Sequence, residues 1–322
     1  MNRFGIAGAV TALVLVPPML DSYQVYLLSL TLVWALLALS MGLLLGYVGE
    51  INFGQAAFAG IAAYVSTLLR MHAGLSFWLA APVGLAAAVA AAAIIGLMTL
   101  RLRGPFFVLV TLAFGEVVRI VLANWQDVTN GPIGLRGIAP PESFPGLDFR
   151  SKLGFYYLAL TITLTCLAGL RQFVRSHNGR LLVALREGEL LGAFVGVRVM
   201  RQKVIGLCIS ALVAGLGGVL LGPLLSVISP GQFTIFTSVD MIVMVVIGGT
   251  GTLVGPLLGA VFLIYVPEAV HFAQEFRPVM MGALLILATM FLPGGIVGLL
   301  RQLRLGRPAG SPALRKQVAR AG

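Results

Sequence analysis

Charge is what this chain has least of. Of its 322 residues only 10% are Asp, Glu, Lys or Arg, against roughly a quarter in a soluble domain. Lysine is scarcer still: Lys152, Lys203 and Lys316 are the only three, and none follows a glycine. A GxxxxGK[ST] phosphate loop is therefore missing, and with it nucleotide binding of that kind. His72, His177 and His271 are scattered, with no HExxH and no cysteine cluster, so no metal site is expected. The two cysteines, Cys166 and Cys208, lie inside apolar runs, which argues against a disulfide framework. No GxSxG or comparable nucleophile motif occurs, so neither enzymatic chemistry nor a cofactor is expected. The net charge of +11 is not a nucleic-acid signature, because no basic stripe alternates with stacking aromatics.

Apolar sequence fills the space that charge leaves. The chain is 59% hydrophobic with a mean hydropathy of +1.00, and apolar runs near the length of a bilayer-crossing helix recur along it. The expected fold is all-α: a polytopic transmembrane bundle of about 8–10 segments, some broken or re-entrant, lying in a lipid bilayer. Gly5 to Leu20 reads as a short retained first span, since Pro17-Pro18-Met19-Leu20-Asp21 offers no small-x-small cleavage site. Further spans are expected over Tyr23–Gly46, on to Arg70, then over Leu75–Leu100, Pro105–Ala123, Leu153–Leu170 and Val204–Leu225. Asn124 to Lys152 is a Pro- and Gly-rich loop of balanced charge, suited to the outer face.

The basic tail beyond Leu300 belongs inside, so the last span, Val279–Leu300, starts outside. Val239–Val266 must then start and end outside too, yet its 28 residues are too few to cross twice at 1.5 Å per residue. GGTGTLVGP, Gly248 to Pro256, is where it should turn back. Gly46 to Gly60 has the same Gly-rich, polar character between apolar runs, which suggests a weak internal repeat. Broken helices of this kind persist only where protein or a water-filled path covers the freed backbone.

Charge gathers in one place before the tail. Between Arg171 and Lys203 seven basic residues face only Glu187 and Glu189. Inside that frame Leu181, Leu182 and Leu185, then Leu190, Leu191, Phe194 and Val195, recur at helical spacing on either side of Gly188. Two short amphipathic helices meeting at a bend are expected. Neither is stable alone in water. Periodicity leaves two readings open: a positive-inside cytoplasmic loop, or a docking helix offered to a soluble partner.

Ionisable groups inside apolar segments are functional candidates by default. Glu50 stands at a segment edge with Asn52 and Gln55, so pathway and interface both remain open for it. Asp240 also stands at an edge. Glu116 and Arg119, one helical turn apart, are expected to neutralise each other near a membrane interface. Gly215, Gly217 and Gly218 read as a close helix contact.

The order of motifs resembles a known family. GEINFGQAAFAGIAAY (Gly49 to Tyr64), RGPFFVLVTLAFGEVVR (Arg103 to Arg119), TNGPIGLRGI (Thr129 to Ile138), NGRLLVALREGELLGAFVGV (Asn178 to Val197) and VVIGGTGTLVGPLLGAVF (Val245 to Phe262) are similar to the permease subunits of bacterial ABC importers for branched-chain amino acids, of the LivM type. The resemblance implies one permease domain over residues 1–305, with a coupling loop at 176–203, and a basic cytoplasmic tail at 306–322. It implies a bacterial inner-membrane location and four kinds of contact: a second permease subunit, two cytoplasmic ATPases, a periplasmic substrate-binding protein and the lipid. It also carries ATPase coupling onto Gly179, Arg180, Arg186, Glu187, Glu189, Gly192 and Gly196. This chain departs from the family's usual pattern at Gly188 and Leu190-Leu191.

A branched-chain amino acid is a zwitterion with an apolar side chain, so its passage should be mostly apolar with brief polar relief. Glu50, Asn52, Phe53, Gln55 and Phe58 in the early break, and Gly248, Gly249, Thr250 and Thr252 in the late one, are the expected path residues. Relatives that serve urea or amides are one alternative. A secondary transporter driven by an ion gradient, with Glu50 at its site, is the rival from another class.

Overall fold

The computed structural model describes residues 11, 13–99, 105–143, 148–188, 192, 196–269, 282 and 295–299. Residues 5–10 and 12 of the expected first span, most of the expected last span, Glu189, and the basic tail lie outside the described residues.

The organising element is α1, Ser22–Leu43, which runs on through a π-helical turn, Leu44–Val48. It is apolar on every side, and a helix of that character is stable only when surrounded. It is surrounded by α7 (Val199–Leu225) and by the helices over Lys152–Arg175, Ile235–Gly248 and Gly255–Ala269, while α2 (Gln55–Ala73) and α3 (Phe77–Thr99) pack on α7 and on each other. Between α3 and α7 come α4 (Pro105–Asn124), α5 (Lys152–Arg175) and the short α6 (His177–Glu187). Among the described residues six helical stretches are long and apolar enough to cross a membrane. The chain is a multi-pass membrane protein.

Small residues set how closely the inner helices approach. A Cβ at Gly218 of α7 would lie 2.1 Å from the Ala59 carbonyl oxygen of α2, so only glycine fits there. Gly217 faces Leu37 of α1, and Gly215 faces Leu85 of α3 and Ala62 of α2. The glycine cluster read from the sequence is thus the contact where α7 meets three helices at once. The outer helices differ: 83% of the apolar stretch of α1 is buried, against 22% for α3 and 11% for α4. Most of α3 and α4 therefore faces outward, to lipid or to another subunit.

The expected fold-back is present. After α8 (Ile235–Gly248) the helix breaks over residues 249–254, and α9 (Gly255–Ala269) returns alongside. The two run antiparallel, with Gly259 against the Met244 carbonyl and Gly248 against that of Gly255. Tyr23, at the start of α1, donates a hydrogen bond to Glu268, so α9 ends at the level where α1 begins.

The balanced loop after α4 is tied down over the same end. Arg70 donates to the carbonyls of Ala139 (2.9 Å) and Pro140 (3.0 Å) and pairs with Glu142 at 3.5 Å. Glu142 in turn accepts from the Phe77 backbone N–H at 2.7 Å, capping α3. A two-residue ladder, unexpected in an all-α chain, joins β1 (Leu135–Arg136) to β2 (Val227–Ile228) antiparallel. Asp148 accepts from Ser143 Oγ and the Arg150 N–H, and these bonds hold its carboxyl below the usual range.

Candidate functional site

The two glycine-rich breaks, far apart in sequence, lie against each other. A Cβ at Gly46 would sit 3.0 Å from the Gly251 nitrogen, and Tyr47 Oη donates to the Gly251 carbonyl at 3.3 Å. Gly42 of α1 packs on Pro256 at the start of α9. The tip of the hairpin therefore rests on the π-helical turn of α1. Gly249 at that tip has φ +117, a conformation other residues rarely adopt, and Gly295 of the closing segment packs directly on it. Thr252 closes the turn: its Oγ accepts from the Gly255 N–H and donates to the Gly249 carbonyl, both at 3.1 Å.

Beyond the π-turn the chain is irregular to Gly54, and α2 then starts in mid-protein with orphan N–H groups. Buried side chains satisfy them. Ser238 of α8 accepts from the Ala56 N–H at 3.1 Å, and Asn52 accepts from that of Gly54 at 2.8 Å. Gln55 donates to Ser40 Oγ (2.9 Å) and Ser210 Oγ (2.7 Å) and accepts from Asn52 (3.0 Å). One polar knot thus ties α1, α2 and α7 together. Periodicity could not have found Ser40, Ser210 and Ser238; a serine inside an apolar helix was their only signal.

The expected path residues divide by burial. Asn52, Gln55, Phe58, Gly248 and Gly249 are buried within this subunit, and Phe58 stacks on Phe114 at 5.4 Å. Glu50, Phe53 and Thr252 are half-buried, and Thr250 is exposed. Glu50 accepts from Lys203 Nζ at 2.6 Å in a largely buried pair, their side chains 14% and 8% exposed. Asp240 lines a cavity of about 200 Å3 with Trp34, Phe233 and Thr237.

The first of the two expected amphipathic helices is α6. Ser176 caps it by accepting from the Gly179 N–H at 3.4 Å. Gly179 lies against Phe173 and Val174, so α6 folds tightly back on the end of α5. Leu182 and Leu185 point inward, while Arg180, Val183, Arg186 and Glu187 are exposed. The second helix lies outside the described residues, apart from Gly192 against Leu185; Gly196 has φ +81. Arg186 reaches upward as well as outward. Its Nη1 donates to the Gly46 carbonyl, and its stem packs on Gly49, where the chain turns with φ +83. The helix of the basic loop is thereby bolted to the early break, and the early break to the late one.

A bundle of crossing helices whose interior helices break beside a surface helix defines a permease-type membrane protein. Residues 23–289 match the model of the family described as the branched-chain amino acid transport system / permease component, and the chain belongs to that family. It is 32% identical over 313 residues to the high-affinity branched-chain amino acid transport system permease protein LivM of Escherichia coli K12, covering 90% of this chain and 73% of that one. LivM of Salmonella typhimurium is 30% identical over 92% of this chain and 76% of its own length. LivH of the same organism is 27% identical over 82% and 91%. No solved structure matches the chain.

Proposed function

We propose that this protein is one permease subunit of an ABC importer that carries leucine, isoleucine and valine across the bacterial inner membrane. A second permease subunit forms the other half of the path, two cytoplasmic ATPases drive it, and a periplasmic binding protein supplies the substrate. The observation that carries this reading is the contact of Arg186 with Gly46. It joins a helix with an exposed polar face to the point where two transmembrane segments are broken. An ATPase seated on Arg180, Val183 and Glu187 would move α6, and α6 would move the π-turn and the hairpin tip with it. Gly192 and Gly196, which follow α6, and Glu189 belong to the same docking region. Asn52, Gln55 and Phe58 hold the break together from inside. Glu50, Phe53, Thr250 and Thr252 stand nearer its open side and border the passage. The ion-coupled alternative loses its best candidate, since Glu50 is already engaged by Lys203.

The test is uptake of leucine, isoleucine, valine and urea in cells holding the whole complex. Uptake of the three amino acids and not of urea is expected. Urea uptake alone would overturn the substrate and leave the permease.

A further inference from the structure

Glu116 and Arg119 pair with each other within α4, a helix long and apolar enough to cross a membrane. Glu116 lies eleven residues past Pro105 and eight before Asn124 on α4, about 16 Å and about 12 Å from the two ends at 1.5 Å per residue. On a helix of bilayer length this puts Glu116 near the middle of the run, with Arg119 one turn closer to the Asn124 end. The next residue back, Gly115, packs on Gly54 and the Phe53 carbonyl, so the pair stands beside the early break. Arg119 Nε donates to both carboxylate oxygens of Glu116, at 2.9 and 3.0 Å, and the side chains remain 32% and 41% exposed.

A pair left so exposed at this depth is poorly served by acyl chains, because charged groups inside a membrane face protein or water. The face it flanks is apolar: Phe106, Leu109, Ala113, Val117 and Ile120 are all exposed. An apolar wall with one acid and one base a helical turn apart has the chemistry of a zwitterion with an aliphatic side chain. We infer that Glu116 and Arg119 form a mid-membrane subsite for the head group of an amino acid, Arg119 taking the carboxylate and Glu116 the ammonium. The inference rests on the transport reading above. With the passage empty, the two groups neutralise each other. When substrate arrives, each exchanges its partner for a group of the same sign, so the net charge of the site stays zero and nothing is trapped.

The experiment uses the whole complex with Cys166→Ser, Cys208→Ser and Ala113→Cys, which places a thiol one turn from Glu116 and leaves the pair intact. A charged, water-soluble methanethiosulfonate should label Ala113→Cys, and leucine with cycling ATP should slow that labelling. Adding Arg119→Gln should abolish the protection and lower leucine uptake roughly tenfold or more. An unreactive thiol would overturn the aqueous placement. Labelling that leucine never slows, in a complex that carries leucine, would overturn the subsite alone. A complex without Ala113→Cys that carries no leucine would fail the transport reading itself.

Discussion

Single residues decide whether the broken segments are tolerable. Removing one partner of a buried ion pair leaves the other charge uncompensated, at a cost of about 3–5 kcal/mol. Replacing both with apolar groups is often neutral. Lys203→Met should therefore lower the melting temperature of the detergent-solubilised complex by an amount equivalent to about 3 kcal/mol. Adding Glu50→Met should restore most of it. If the double variant melts as low as the single one, the Glu50–Lys203 contact is not the origin of the loss. The serines around Gln55 follow the same rule. Each buried hydroxyl or amide is satisfied within the knot, and an unpaired one would cost about 1–3 kcal/mol.

Elements carry the coupling. α6 is only eleven residues long, too short to hold its shape without the surface it lies on. That surface includes Gly206 of α7, against which both Leu182 of α6 and Val48 of the π-turn lie, with Arg186 as the bolt. Arg186→Ala removes a charge-assisted hydrogen bond but leaves the buried leucines of α6 in place. The ATPase subunits should still be recovered with the purified complex, while leucine uptake falls roughly tenfold, the equivalent of ~1.4 kcal/mol. Uptake unchanged from wild type would show that movement of α6 reaches the breaks by another route.

At the scale of the molecule, the fold-back of α8 and α9 agrees with the parity that the charge pattern requires of the chain. α5 runs from the loop that holds Ile133 to the basic loop, and its 24 residues are long and apolar enough to cross a membrane, so the two fall on opposite sides. A thiol at Gly188 should react only from the cytoplasmic side, and one at Ile133, 64% exposed, only from outside. Both thiols reacting from the same side would mean that the helices between them do not cross as the charge asymmetry requires.

Much of this was legible in the linear chain, for a definite reason. In lipid every backbone group must be paired within the protein, so long apolar runs become helices whatever surrounds them. The crossing helices expected over Tyr23–Gly46, Leu75–Leu100, Pro105–Ala123, Leu153–Leu170 and Val204–Leu225, and the turn at Gly248 to Pro256, follow from run length and charge alone. The stretch to Arg70 instead forms α2, which is not among the six helices apolar enough to cross. Contacts between remote residues do not have that local origin. Nothing near Gly46 in sequence says that Gly251 will cover it, that Arg186 will grip its carbonyl, or that Ser40, Ser210 and Ser238 will gather around Gln55. α4 is the clearest case. The pairing of Glu116 with Arg119 follows from their spacing, but the packing of Gly115 beside them on Gly54 and Phe53 does not, because a position along one helix acquires its neighbours only when the helices are stacked.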